Sequence, residues 1–163
     1  HDSSGATFVS LTLPVDTYSP DQLSELVLEL QDLASATRDN VARKDTDAEP
    51  PVISPGLAEL LEANKIKVDD VGAIEDLARL VATTLDKAPT VHILLSAMPG
   101  RAMKRQFATW FREQIHPQTL MTFAARSDLG GGTIVQAGSH LYDLSFRRGI
   151  IDNKKRLTEI AGV

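Results

Sequence analysis

Residues 127–151 read SDLGGGTIVQAGSHLYDLSFRRGII and hold the strongest local signals in this 163-residue chain. Three consecutive glycines at 130–132 lie between two runs rich in strand-forming residues, 119–125 and 133–137. Glycine adopts a positive φ at little steric cost and lets another backbone segment approach closely. A tight connection between two strands is therefore expected here.

The dipeptide Gly138-Ser139 marks a second turn, directly after the second of these strands. It separates that strand from another run at 140–144, and a glycine at the first central position is what a type II′ hairpin turn requires. The resulting register places Val135 opposite Tyr142. The stretch therefore predicts an antiparallel hairpin.

Ser145 follows the hairpin as a candidate N-cap of a C-terminal helix. Apolar residues recur after it at near-helical spacing, at Phe146, Ile150, Leu157 and Ile160. The same segment carries basic residues within about two and a half helical turns, namely Arg147, Arg148, Lys154 and Lys155. We expect some of these basic residues to share an exposed face that binds a partner, while the apolar residues point inward.

Three further strands and several amphipathic helices are predicted upstream. The run VHILL at 91–95 is almost continuously apolar, which favours a central strand buried on both faces. Strands are also expected at 7–13 and 119–125. Helices are expected at about 20–36, 54–64, 70–85 and 100–115, because each begins near a proline or a capping residue and carries an apolar stripe.

The expected fold class is α/β, with a mixed sheet of four to five strands. Amphipathic helices should pack on this sheet, and the C-terminal β-hairpin should be followed by a helix. We interpret residues 1–5 as a leader or an expression remnant, 6–88 as a strand plus a helical region, and 89–163 as an α/β domain. Residues 37–52 are polar and charged and are expected to form a connection.

Composition excludes several classes of function. The chain has no cysteine, so a disulfide framework, a thiolate metal site and a cysteine nucleophile are excluded together. No apolar run reaches the roughly 20 residues needed to cross a bilayer, so no direct membrane insertion is expected. The four histidines are scattered along the chain and form no catalytic pattern, so we predict no enzymatic activity and no cofactor.

The charge is distributed unevenly along the chain. Residues 1–97 hold 7 Lys or Arg against 17 Asp or Glu, whereas residues 98–163 hold 10 against 5. Such a split suits a connector whose basic half binds an acidic partner, although ordinary solvated helix faces would produce it too. Nucleic acid is not expected as a partner, because no recognised DNA- or RNA-binding motif is present.

The glycine turn, the hairpin and the segment after it resemble the C-terminal domain of the δ subunit of bacterial F-type ATP synthase, which is related to the oligomycin-sensitivity-conferring protein. The family's closing pattern is an Asp, a Gly-Gly turn, a short strand, a Gly, and Asp-x-Ser before an Arg-bearing helix. The residues at these positions are Asp128, Gly131, Gly132, Gly138, Asp143, Ser145, Arg147 and Arg148. Together with Gly130, which belongs to the same glycine turn, the residues from Asp128 to Ser145 form the predicted structural motif. The similarity covers residues 89–160.

This resemblance implies a structural peripheral-stalk subunit that supports ATP synthesis and proton transport by protein–protein binding. Its partners would be the b-type stalk subunit and the head subunits, and it would lie in the cytoplasm, peripheral to the inner membrane. In the family, an N-terminal bundle of about six helices holds the head. Residues 1–88 instead begin with a strand and allow about three helices, so they represent a reduced bundle, a truncation or a different domain.

Two alternatives remain open from the sequence. Residues 128–133, DLGGGT, also resemble the phosphate-binding turn of the actin and sugar-kinase family, which would make the chain a small nucleotide-binding module. That family uses two large lobes and a second phosphate turn, and no Gly-Lys-Ser/Thr follows the glycines here. The other alternative is an α/β adaptor that binds a different partner.

Overall fold

A computed structural model describes residues 11–44, 49 and 51–144 of the chain. The helices are α1 (Pro20–Arg43), α2 (Pro55–Ala63), α3 (Val71–Lys87) and α4 (Arg101–Gln114), and the strands are β1 (Thr90–Leu95), β2 (Leu120–Ala125), β3 (Thr133–Ala137) and β4 (His140–Leu144). The chain divides into two compact units. The first contains α1, α2 and α3, and the second contains the sheet and α4.

The first unit is held together by aliphatic side chains from its three helices. Its fully buried residues include Leu23, Leu30, Leu57, Leu60, Ile74 and Val81. Each such side chain contributes about 1.5–3 kcal/mol when it is removed from water. These positions recur at helical spacing, so the apolar stripes predicted from the sequence form the core of this unit.

The start of α2 is capped as the sequence predicts. The Ser54 hydroxyl accepts a hydrogen bond from the Leu57 N–H at 3.1 Å, and Pro55 occupies the first helical position. The Glu29 carboxylate accepts hydrogen bonds from the Ser54 N–H at 2.8 Å and from the Ser54 hydroxyl at 2.6 Å. A side chain of α1 therefore fixes the capping residue of α2.

The prediction of a strand at 7–13 is wrong for residues 11–13, the part of it that the structure describes. Residues 1–10 lie outside the described part, and residues 11–13 are not members of the sheet. Instead, the Asn64 side chain pairs with the backbone of Thr12. Asn64 Oδ1 accepts from the Thr12 N–H at 2.9 Å, and Asn64 Nδ2 donates to the Thr12 carbonyl at 2.9 Å. The Asn64 side chain thus makes the two backbone hydrogen bonds to Thr12 that a neighbouring strand would make.

The second unit is built on a four-stranded mixed sheet in the order β2-β1-β3-β4. Strands β1 and β2 are parallel and are joined through α4, whereas β3 is antiparallel to both β1 and β4. The molecule therefore combines helices with a mixed sheet, which confirms the α/β fold class. At the outer side of β2, the Tyr18 carbonyl accepts a hydrogen bond from the Met121 N–H at 2.7 Å.

Helix α4 packs on one face of this sheet through aromatic side chains. Phe107 and Phe111 are fully buried, and the Phe107 ring lies 5.7 Å from the Phe123 ring of β2. The register places Phe123 beside Ile93 of β1 and Val135 of β3 on the same face, which we call the core face. Both of these aliphatic residues are fully buried.

The prediction for β1 is half right. The strand is central, since it lies between β2 and β3. Its two faces are buried to different extents, because Val91, Ile93 and Leu95 are buried on one face, whereas on the other His92 is exposed and Leu94 is half-buried. His92 Nδ1 lies 2.6 Å from the Thr122 hydroxyl, its register partner on β2. The opposite face of the sheet can therefore carry polar side chains.

Candidate functional site

The glycine-rich connection between β2 and β3 is a turn of unusual backbone conformation. A short 3₁₀ helix, Ser127–Leu129, is followed by Gly130 with φ 59° and by Gly131 with φ 88°. A Cβ atom added to either glycine would meet no atom within 4 Å. The positive φ angles, rather than close packing, are therefore the reason for glycine at these two positions.

An ion pair stands at the entrance to this turn. Arg126 donates two hydrogen bonds to the Asp128 carboxylate, at 2.7 and 3.2 Å, and both side chains are exposed. The Arg126 side-chain hydrogen bond, with help from the Asp128 N–H, holds the pKa of the Asp128 carboxyl below its ordinary value. The backbone N–H of Arg126 also donates to the Leu95 carbonyl at 2.7 Å. The turn is thus tied to the end of β1.

The hairpin of β3 and β4 has the register expected from the sequence. Val135 pairs with Tyr142. Gly138 has φ 63°, whereas Ser139 has no positive φ, which is the pattern of a type II′ turn. Asp143 pairs through its backbone with Ile134.

The sequence motif is split between the two ends of β3. Asp128 and Gly130–Gly132 precede the strand, and Gly138 follows it. A strand of five residues extends over roughly 13 Å, so the two groups of residues are separate turns and do not form a single binding site. Ser145, Arg147, Arg148, Lys154 and Lys155 lie outside the described residues.

The outward side of α4 forms a shallow concavity of about 360 Å³ that sequence reasoning did not identify. Its described lining residues are Arg105, Gln106, Thr109, Trp110 and Glu113. Trp110 is half-buried and stands edge-on to Phe111, with the ring centres 5.1 Å apart. The spacing of these five residues matches one helix face, and this was the signal available in the sequence.

The first unit contains a cleft between α1 and α3, of about 350 Å³, which sequence reasoning also missed. Small residues, Ala34 on α1 with Ala78 and Ala82 on α3, form part of its lining. An ion pair between Arg38 and Glu75 bridges the two helices at the cleft. The sequence identified these helices as core elements because their apolar stripes are strong, and the alanines gave no separate signal.

The part of the chain that the structure describes contains neither a metal-binding cluster nor a membrane-spanning helix. No group of three His, Cys, Asp or Glu residues there is arranged to hold a metal ion. No described helix is both long and apolar enough to cross a membrane. No protein-family model matches the chain, and no curated protein matches it significantly.

Proposed function

We propose that the chain is a non-catalytic peripheral-stalk subunit of a bacterial F-type ATP synthase, of the δ type. It would join the catalytic head to the b-type stalk helices on the cytoplasmic side of the inner membrane. The observation that carries the proposal is the order of elements from β1 to β4: strand, helix, strand, glycine turn and hairpin. Of the residues that resemble the family, Asp128 and the glycines lie at the two turns of this order, and Asp143 lies in β4.

The construction of the second unit supports a mechanical role. A stator must resist torque while the rotor turns, so its linker should deform little. The central strand β1 is bonded on both sides, and α4 packs on the core face through Phe107 and Phe111, which are fully buried. Close-packed interiors of this kind have low compressibility and transmit strain. Such a unit can hold two partners at a fixed separation.

Binding is assigned to the basic C-terminal segment that contains Arg147, Arg148, Lys154 and Lys155. A contact that survives every turnover needs nanomolar affinity or better, about −12 kcal/mol. Charges at an interface rim act mainly on the association rate and on orientation. Apolar contacts must supply the remainder of the binding free energy.

Titration calorimetry of the full chain with the soluble part of a b-type stalk subunit tests the proposal. We expect nanomolar binding by the wild type. Arg147→Glu combined with Arg148→Glu should weaken it several-fold, and more at low salt than at high salt, because exposed charges are screened. The control is Lys67→Glu combined with Lys87→Glu, which makes the same change in net charge at two exposed lysines of the first unit.

The two outcomes have separate meanings. No binding by the folded wild type would refute the proposed function. Unchanged affinity in a folded Arg147 and Arg148 variant at low salt would remove this segment from the interface while leaving the function standing.

A further inference from the structure

The sheet of the second unit carries apolar side chains on the face opposite the core face. Side chains alternate between the two faces of a strand, so Leu94 of β1 and its register partners Ala124 and Ile134 lie on that face. Leu141 of β4 lies there too, because it pairs with Gln136 of β3. We call these four apolar residues the outer patch. Leu94 and Ile134 are half-buried, Ala124 is exposed, and Leu141 is 64% exposed.

Helix α4 does not cover the outer patch. It is the only α-helix described wholly within the second unit, and it packs on the core face. At the start of β2 the same face is covered, since Leu120 is fully buried there. The exposed part therefore extends from the middle of the sheet to the end where β1 and β2 finish. A solvated sheet face normally carries polar side chains, so apolar ones at this place indicate an occupant.

The chain leaves the sheet beside this patch. Leu144, the last residue of β4, pairs with Thr133, which also pairs with Leu95, the last residue of β1. Leu94 and Ile134 directly adjoin these positions. Neighbouring strands are about 4.8 Å apart, so the sheet is about 14 Å wide. The sequence continues for 19 residues after β4, which would extend over about 28 Å as a helix and can cross the sheet.

We infer that residues 145–163 dock on the outer patch as an amphipathic helix. At about 100° per residue, four apolar residues of this segment fall within about 80° of one another, namely Phe146, Ile150, Leu157 and Ile160. Arg148 and Lys155 fall on the opposite side of such a helix, so they stay in solvent while the apolar side packs on the sheet. The segment is joined directly to the edge strand, which keeps its effective concentration at the patch high.

Docking also determines which basic residues face a partner. Arg148 and Lys155 point away from the sheet, whereas Arg147 and Lys154 lie at the flank of the helix. A partner that approaches from solvent therefore meets the first pair. The identification of this partner with the b-type stalk subunit rests on the proposed function, but docking of the segment on the sheet does not.

The main test measures how accessible the outer patch is in the full chain. The chain has no cysteine, so Ile134→Cys introduces a single thiol within the patch. Its rate of reaction with dithiodipyridine, an uncharged reagent, is compared with and without Ile150→Gln and Leu157→Gln, which remove apolar contacts but keep good helix formers. We expect the two glutamines to accelerate the reaction at least tenfold, because they release the segment from the sheet.

Two controls accompany this measurement. Arg148→Gln with Lys155→Gln changes two outward residues of the same segment and should leave the rate at position 134 unchanged. Thr109→Cys places the thiol on an exposed site of α4, where the rate should be the same in every background. Circular dichroism establishes that each variant is folded, and Leu157→Gln alone replaces the double variant if that one does not fold.

An equal rate at position 134 with and without the glutamines would overturn the inference. A fast rate in both would mean that the patch is open, and a slow rate in both would mean that something else covers it, such as a second copy of the chain. The orientation of the helix is tested by calorimetry with the soluble part of the b-type subunit. Arg148→Gln with Lys155→Gln should weaken binding at least threefold more than Arg147→Gln with Lys154→Gln, and equal losses would contradict this orientation. No binding by the wild type would refute the proposed function while the thiol measurement still decides the docking.

Discussion

Gly131 provides the sharpest test of the turn that precedes β3. Its φ of 88° is rarely adopted by residues that carry a side chain, and a Cβ placed there meets no neighbour within 4 Å. A substitution therefore changes the backbone energy without creating a clash. Non-glycine residues in such conformations cost of the order of 1–3 kcal/mol, and β-branched residues are at the upper end. The substituted chain also loses about 0.4–1 kcal/mol of unfolded-state entropy, which offsets part of this cost.

The loss of stability is expected to differ among substitutions of Gly131. Gly131→Ala should lower the free energy of unfolding of the second unit by about 1 kcal/mol and Gly131→Val by about 2 kcal/mol. Gly131→Asn should have a smaller effect than alanine, because asparagine tolerates positive φ better than other residues. The size of the effect follows backbone preference and not side-chain volume.

The only tryptophan of the chain, Trp110, lies in the second unit, so urea unfolding followed by its fluorescence reports that unit. The control is Gly100→Ser. Gly100 has φ −78°, has open space around it and caps α4 without a side-chain hydrogen bond, so serine should maintain or raise stability. Equal stability of the valine variant and the wild type would refute the argument that conformation requires glycine at this turn.

Three further predictions concern the turn and the first unit. Titration with MgATP is expected to give no heat, because Arg126 is bonded to the Asp128 carboxylate and no lysine follows the glycines. Micromolar binding of MgATP would instead favour the nucleotide-binding alternative. Arg126→Gln should raise the pKa of Asp128 toward its ordinary value in an NMR titration. In the wild type, the stabilisation by the ion pair is present above about pH 4 and is lost as the pH falls through the depressed pKa of Asp128. An unchanged Asp128 pKa would contradict this assignment. Asn64→Ala should lower the free energy of unfolding of the first unit by about 1–2 kcal/mol, measured by circular dichroism in urea. Asn64→Asp should have an intermediate effect, because it keeps only the acceptor for the Thr12 N–H. If the alanine variant is as stable as the wild type, the pairing of Asn64 with Thr12 contributes nothing to stability.

Local chemistry made several features predictable from the sequence. Ser54-Pro55 starts α2 because the Ser54 side chain accepts a hydrogen bond from the Leu57 N–H, only three residues further on, and Pro55 suits the first helical position. Gly138-Ser139 forms a two-residue turn because few residues tolerate its first central position, and this turn then determines the register of β3 and β4. In both places, the decisive interaction spans only a few residues.

The errors arise where contacts between distant residues decide the structure. Helix α1 continues to Arg43, beyond the predicted end near residue 36, although its last turns are polar. The buried Thr37 hydroxyl donates to the Val68 carbonyl at 3.4 Å, and Arg38 pairs with Glu75 of α3. These two contacts join residues that lie 31 and 37 positions apart in the sequence. They stabilise the last turns of α1, where the polar composition is typical of a connecting segment.

The sheet illustrates a different limit. The apolar residues of VHILL predicted burial on both faces of β1, but His92 is exposed, and its contact with Thr122 on β2 allows a polar side chain on the face opposite the core. The concavity beside Trp110 likewise depends on which sector of α4 packs on the sheet, because that choice leaves the opposite sector exposed. Helical spacing alone predicted the buried stripe of α4 but did not predict the concavity on its outer side.

We propose that this chain links the head of an ATP synthase to its stalk, and sedimentation velocity tests this proposal most directly. The purified head and the soluble part of the b-type subunit would be centrifuged together, with and without the full chain. Head and stalk are expected to sediment as one complex only when the chain is present, and Arg147→Glu with Arg148→Glu should reduce the amount of that complex. A mixture in which head and stalk sediment separately in the presence of the folded wild-type chain would contradict it.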